Sequence, residues 1–169
     1  MIDLNNITLI GMPGSGKSTV GVLLAKLLGY DFLDSDLLIQ KAENKRLFEI
    51  LRDSGNDYFT KLEDKINAEI NCENTVVATG GSVVFCENAM KHLSSIGTVV
   101  YLKVPVSALE KRVDNFDTRG IMMTKGSTLA DIYAERAPLY EKYADITVNA
   151  GCGSLTKSAE KIIKALKNT

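Results

Sequence analysis

Short apolar runs alternate with longer stretches of helical periodicity along this chain. Ile7-Thr8-Leu9-Ile10 is brief, β-branched and free of charge, the pattern of a buried strand. Residues 18–28 follow with helical spacing and stop at Gly29. Tyr30-Asp31-Phe32-Leu33, Thr75-Val76-Val77-Ala78, Thr98-Val99-Val100-Tyr101-Leu102 and Asp145-Ile146-Thr147-Val148 predict four more strands. Helical patterns cover residues 35–42, 47–53, 57–69, 86–93, 106–113, 129–143 and 154–166, while residues 114–126 are polar, Gly-punctuated and aperiodic. Strands separated by helices imply a parallel sheet covered on both faces, a three-layer α/β architecture. No repeat or linker divides the chain, so residues 1–169 read as one domain. In the last helix Lys157, Lys161, Lys164 and Lys167 run beside Leu155, Ile162, Ile163 and Leu166, which reads as the solvated face of an amphipathic helix.

Composition narrows the function. The 169 residues, 45% hydrophobic and 24% charged, suffice for one sizeable core. Twenty Lys and Arg against 21 Asp and Glu leave a net charge of −1, which argues against a nucleic-acid surface. No apolar run reaches the ~18–20 residues of a bilayer span, and the N-terminus has no basic-then-apolar signal. A cytoplasmic monomer is therefore expected, with a small molecule as its partner and neither nucleic acid nor membrane. Cys72, Cys86 and Cys152 are scattered without metal-ligand spacing, and His92 is the only histidine, in an ordinary helical pattern. Acid–base chemistry must then come from carboxylates, Lys or Arg.

Gly11-Met12-Pro13-Gly14-Ser15-Gly16-Lys17-Ser18-Thr19 fits GxxxxGK[ST] between the first strand and first helix, the context that makes this motif informative. Gly11, Gly14 and Gly16 let successive N–H groups turn toward phosphate oxygens, and the helix behind them adds its N-terminal dipole. Lys17 is placed for the outer phosphates and the Ser18 hydroxyl for Mg²⁺. The loop predicts a nucleoside triphosphate and Mg²⁺ as ligands, and the family resemblance given below implies that the nucleotide is ATP. No Asn/Thr-Lys-x-Asp guanine-reading segment is present, and the third strand runs into Ala78-Thr79-Gly80-Gly81-Ser82 instead of an acidic pair. A small-molecule kinase is favoured over a GTPase or motor.

Phe32-Leu33-Asp34-Ser35-Asp36 sets two carboxylates at the end of the second strand, where ligands bind in open α/β sheets. If the segment is extended, residues 34 and 36 share a face, one near magnesium and one near an acceptor hydroxyl. Asp-Ser-Asp is equally a helix N-cap signal, through Ser35 or Asp36.

These segments, in this order, resemble the shikimate kinase family over nearly the whole chain. The match comprises residues 11–19, residues 32–36, Gly55-Asn56-Asp57-Tyr58-Phe59, Ala78-Thr79-Gly80-Gly81, Arg119, and Glu135-Arg136-Ala137-Pro138-Leu139-Tyr140 followed by Ala144-Asp145. The resemblance implies a five-stranded parallel sheet of order 2-3-1-4-5 with a lid over about residues 114–128, and ATP-dependent phosphorylation of the 3-hydroxyl of shikimate. It also implies roles. Lys17, Asp36 and Arg119 would be catalytic. Gly11, Pro13, Gly14, Ser15, Gly16, Lys17, Ser18, Thr19, Arg112 and Arg119 would hold nucleotide, and Ser18 and Asp34 the metal. Asp36, Gly80, Gly81 and Arg136 would meet the acceptor.

Three positions depart from the family. Thr60 stands where the family has an arginine that pairs with the substrate carboxylate, a charge-assisted contact that a hydroxyl does not replace. Ser82 stands for a glycine, adding a Cβ and a hydroxyl at the acceptor and restricting the backbone if φ is positive. Gly120 stands for a lid proline and is expected to loosen the lid. Two alternatives to shikimate phosphorylation follow: a paralogous kinase for another hydroxy acid or polyol, and a non-catalytic ATP-binding module.

Overall fold

The computed structural model describes residues 6–112 and 120–168. Five strands form one all-parallel sheet: β1 (Asn6–Ile10), β2 (Asp31–Asp34), β3 (Thr75–Ala78), β4 (Gly97–Lys103) and β5 (Ile146–Asn149), in the order β2-β3-β1-β4-β5. The register sets Leu9 between Ala78 and Val100, and β1 and β3 are buried along their whole length, as strands covered on both faces are. Among the described residues, seven helices surround the sheet: α1 (Lys17–Leu28), α2 (Ser35–Glu43), α3 (Leu47–Ala68), α4 (Glu87–Ile96), α5 (Val106–Arg112), α6 (Leu129–Tyr143) and α7 (Leu155–Lys167), with a 3₁₀ turn at Val83–Phe85.

The strand order dictates the layers. The connection from β1 to β2 crosses the sheet in one direction, and those into β3, β4 and β5 cross in the other. Right-handed crossovers therefore place α1 on one face and the remaining crossover helices on the opposite face. α7 packs beside α1, and α3 beside α4. Leu9, Val77, Val100, Tyr101 and Leu102 lie at the centre of the main core. A smaller cluster of Ile39, Ile50 and Phe59, with Leu47 and Met122 packed against it, lies apart.

Most predicted elements form within a residue or two of their expected ends. The two helices expected over 47–53 and 57–69 are one element, α3, broken at Gly55, whose φ of 78° and ψ of 175° are not helical. All four lysines of α7 are exposed, as its amphipathic pattern requires. Val113 and residues 114–119 of the expected lid, Arg119 among them, lie outside the described residues. No helix among the described residues is long and apolar enough to cross a membrane.

One consequence of the sheet matters most for chemistry. Because every strand is parallel, the segments leaving β1, β2 and β3 emerge at the same edge, and β3 lies between the other two. Those segments are residues 11–16, 34–36 and 79–82.

Candidate active site

The loop after β1 is a tight cradle. Gly11, Gly14 and Gly16 hold φ of 148°, 79° and 92°, a region closed to most L side chains, and a Cβ on Gly11 would sit 2.7 Å from the Leu102 carbonyl oxygen. Ser15 donates its N–H to the Met12 carbonyl at 3.1 Å, closing the turn. Lys17 opens α1 and folds its side chain back over the loop, where Nζ donates to the carbonyls of Gly11 and Met12 at 2.8 Å each. Burial pushes its pKa from 10.5 down to about 8, against the opposing attraction of Asp36. A phosphate group would restore the compensation that this buried ammonium lacks.

Asp34 and Asp36 do not share an extended face. β2 ends at Asp34, α2 starts at Ser35, and Asp36 lies in the first helical turn. Asp34 itself is the N-cap, not Ser35 or Asp36: one carboxylate oxygen accepts from the Asp36 N–H at 3.0 Å. Its other oxygen accepts from the Ser18 hydroxyl at 2.8 Å. A hydroxyl and one carboxylate thus meet at the mouth of the phosphate loop. No cluster of three or more His, Cys, Asp or Glu among the described residues suits a metal. Two hard oxygen donors with room for water and phosphate oxygens fit Mg²⁺, which is seldom held by an all-protein cage. Asp36 lines the cleft described below, and burial, reinforced by Asp34, raises its pKa to about 6.

The segment after β3 passes between two carboxyl groups. A Cβ on Gly80 would lie 2.8 Å from both Asp36 Oδ1 and Glu63 Oε1, so only glycine lets the main chain through. Glu63, on α3, is fully buried. Its Oε2 accepts from Ser82 Oγ at 2.6 Å and lies 3.8 Å from the Cys86 thiol, while its Oε1 has no partner among the described residues. Burial raises the Glu63 pKa to about 7, with Ser82 pulling the other way. Ser82 adopts φ −94° and ψ −3°, an ordinary conformation, so the expected backbone restriction does not arise.

Arg136 comes inward from α6 and is 2% exposed, while Glu135 beside it faces solvent; the local ion pair their adjacency suggests does not form. Its guanidinium stacks over Phe85 at 5.5 Å, donates from Nη2 to the Met122 carbonyl, and leaves Nε unpartnered among the described residues. Four residues further along α6, the Tyr140 hydroxyl donates to the Gly81 carbonyl. One helix thus carries both the buried cation and the group that pins the glycine segment.

These elements line a cleft of about 310 Å³. The expected residues Pro13, Gly14, Gly16, Lys17, Ser18, Thr19, Asp36, Gly80, Gly81, Ser82 and Arg136 line it, joined by Leu47, Phe59, Thr79, Gly120, Ile121 and Met122. Gly11, Ser15 and Asp34 do not line it but bond to residues that do: Gly11 and Ser15 accept from Lys17 Nζ, and Asp34 from the Ser18 hydroxyl. Two expected residues are elsewhere. Thr60 does not line the cleft; its hydroxyl lies 2.9 Å from the Asn56 carbonyl and 3.1 Å from Met122 Sδ. Arg112, the last residue of α5, is half-buried outside the cleft wall. Gly120 also differs from expectation: its φ is 65°, and a Cβ there would lie 2.5 Å from Leu47 Cβ. The missing side chain lets this segment approach α3 closely.

Glu63 and Tyr140 were not singled out from sequence as site residues. A signal for Glu63 existed: it lies four residues after Phe59 and four before Asn67, on the buried stripe of α3. A carboxylate on that stripe needs a reason to be there. His92 Nε2 is 2.6 Å from the Ile70 carbonyl, and Cys72, Cys86 and Cys152 are free thiols. Burial pushes the Cys86 thiol pKa up, which leaves it unreactive.

A family model for shikimate kinase matches residues 13–167. A shikimate kinase of Clostridium botulinum (strain Okra / Type B1) is 39% identical over 168 residues, covering 97% of each chain. The solved structure of the shikimate kinase of Acinetobacter baumannii, in complex with shikimate, superposes with a TM-score of 0.91 at 32% identity, over 99% of this chain and 95% of that one. The shikimate kinase of Aquifex aeolicus gives 0.81 at 31% identity, over 96% of both chains.

Proposed function

This chain belongs to the shikimate kinase family, and on that premise we propose that it transfers the γ-phosphoryl group of ATP to the 3-hydroxyl of shikimate. The observation that carries this reading is one cleft joining a phosphate cradle, a carboxylate and a buried arginine, Lys17, Asp36 and Arg136 all lining it. The product would feed the route to the aromatic amino acids.

The protein's part follows from its groups. Asp36, with a pKa near 6, is mostly ionised at neutral pH and accepts the hydrogen bond of the acceptor hydroxyl. As the new O–P bond forms, that proton passes to Asp36, and the bridging oxygen departs with ADP. Transfer is loose in character, so positioning and charge matter more than a strong base. Lys17 leaves the Gly11 and Met12 carbonyls for the phosphates and offsets the charge that accumulates there. Ser18 and Asp34 would hold Mg²⁺, which supplies neutralisation of the β- and γ-phosphate oxygens when bound. Arg136 binds the acceptor carboxylate through its free N–H groups, and Gly80 and Gly81 lie along the ring. By family resemblance Arg112 would stack on adenine and Arg119 would reach the phosphates.

The test is ADP release with ATP, Mg²⁺ and millimolar shikimate, beside a panel of sugar acids, polyols and hydroxy amino acids. Shikimate is expected to give the highest kcat/KM. Turnover of another acceptor without turnover of shikimate would transfer the reading to a paralogous kinase. Nucleotide binding without any acceptor-dependent turnover would leave an ATP-binding module.

A further inference from the structure

Residues 120–123 rest on α3 by three separate contacts. Gly120 lies so close to the Leu47–Phe48 main chain that a Cβ would be 2.5 Å from Leu47 Cβ and 2.7 Å from the Phe48 nitrogen. The Asn56 side-chain amide donates to the Met123 carbonyl at 3.1 Å. One turn further on, the Thr60 hydroxyl touches Met122 Sδ at 3.1 Å. Asn56 and Thr60 therefore present adjacent polar groups on one face of the helix, just after its break at Gly55.

The opposite side of this segment faces the acceptor cavity. Ile121 and Met122 line the cleft, and the Met122 carbonyl accepts from Nη2 of Arg136. Met122 also packs against the small cluster of Ile39, Ile50 and Phe59. The position of the Met122 main chain thus decides how much of the Arg136 guanidinium an incoming anion can reach.

We propose that Asn56 and Thr60 are positioning residues: they form a seat on α3 that holds residues 120–123 against Arg136, and Thr60 acts on this wall and not on the acceptor. The effect on an acidic acceptor rests on the function proposed above; the seat itself does not.

Limited trypsin digestion of the full chain, without nucleotide or acceptor, reads the seat directly. Lys125 is exposed two residues beyond Met123, and cleavage after it needs this segment to lift away. Asn56→Asp is the sharpest variant. Aspartate serves as well as asparagine at a helix start, so the melting temperature is expected to hold, but it sets a carboxylate against the Met123 carbonyl. Cleavage after Lys125 is expected to be about three- to tenfold faster in Asn56→Asp and in Thr60→Ala, the loss of one hydrogen bond or contact of ordinary strength. The acceptor KM should rise in both, with the ATP KM nearly unchanged. Unchanged cleavage in both variants overturns the proposal. A raised acceptor KM without faster cleavage also overturns it, since Thr60 would then act on the acceptor itself. Because the digestion contains no acceptor, its result stands apart from the identity of the substrate.

Discussion

Ser82 donates its hydroxyl to Glu63 at 2.6 Å, in a position where both side chains are buried and the carboxyl group has no cationic partner among the described ion pairs. The serine hydroxyl is thus committed to Glu63. Ser82→Ala should leave this carboxylate without its strongest neutral donor, destabilising the fold by about 1–3 kcal/mol. Since Ser82 lowers the Glu63 pKa, its removal should raise that pKa above about 7. Any acidic limb of activity that depends on Glu63 then moves to higher pH. Thermal unfolding and the pH profile of kcat/KM measure the two effects, and an unchanged profile would separate Glu63 from turnover.

Asp36→Asn should lower kcat by about 10²–10⁴-fold, the range for loss of a positioned acid–base group. It should not destabilise the protein at neutral pH. The folded pKa of Asp36 is raised from 3.8 to about 6, chiefly by burial, so the native state binds more protons than the unfolded chain between those values. Stability contributed by this group is fully present below pH 4 and declines as pH rises toward 6. Asparagine removes that penalty, although Lys17 also loses a favourable neighbour, so a net gain on the order of 1 kcal/mol or less is expected by calorimetry at pH 7.

Lys17 gives the opposite pH dependence. Its folded pKa is lowered from 10.5 to about 8, so the native state releases its proton first and stability tied to this group rises with pH between those values. Nucleotide affinity should fall over the same alkaline range, because the free protein must regain a proton to offer a charged ammonium. Titration calorimetry of ATP between pH 7 and 9 would reveal it, and Lys17→Ala should abolish the dependence together with most turnover.

Gly120→Ala introduces a side chain at φ 65° and within 2.5 Å of Leu47 Cβ. A cost of about 1–3 kcal/mol is expected, partly expressed as lifting of residues 120–123 from α3. The acceptor KM should rise more than the ATP KM. Steady-state kinetics with each substrate varied in turn would detect the difference, and an unaffected acceptor KM would show that this close approach is not needed for binding.

Much of the site was legible because its parts are local. The phosphate loop is a contiguous run whose glycines, lysine and serine each answer a demand of phosphate binding, and Asp34-Ser35-Asp36 sits at a strand end. Several contacts of these residues have partners distant in the chain. Asp34 caps α2 while also meeting Ser18, 16 residues away, and Thr60 answers to Met122, 62 residues away. Gly120 read alone suggests freedom, but against Leu47 it permits close packing.

Periodicity and turn chemistry were enough to determine the α/β class, the approximate elements and a phosphate-binding function, since each depends on residues within a few positions of one another. The tertiary structure decided which carboxylate lines the cleft, that Glu63 joins Asp36 around Gly80, and that Arg136 is buried toward the cleft. Those outcomes require β3 to lie between β1 and β2 and α6 to lean over the segment that leaves β3. They are set by non-local burial and crossover handedness, which no local pattern of side chains records.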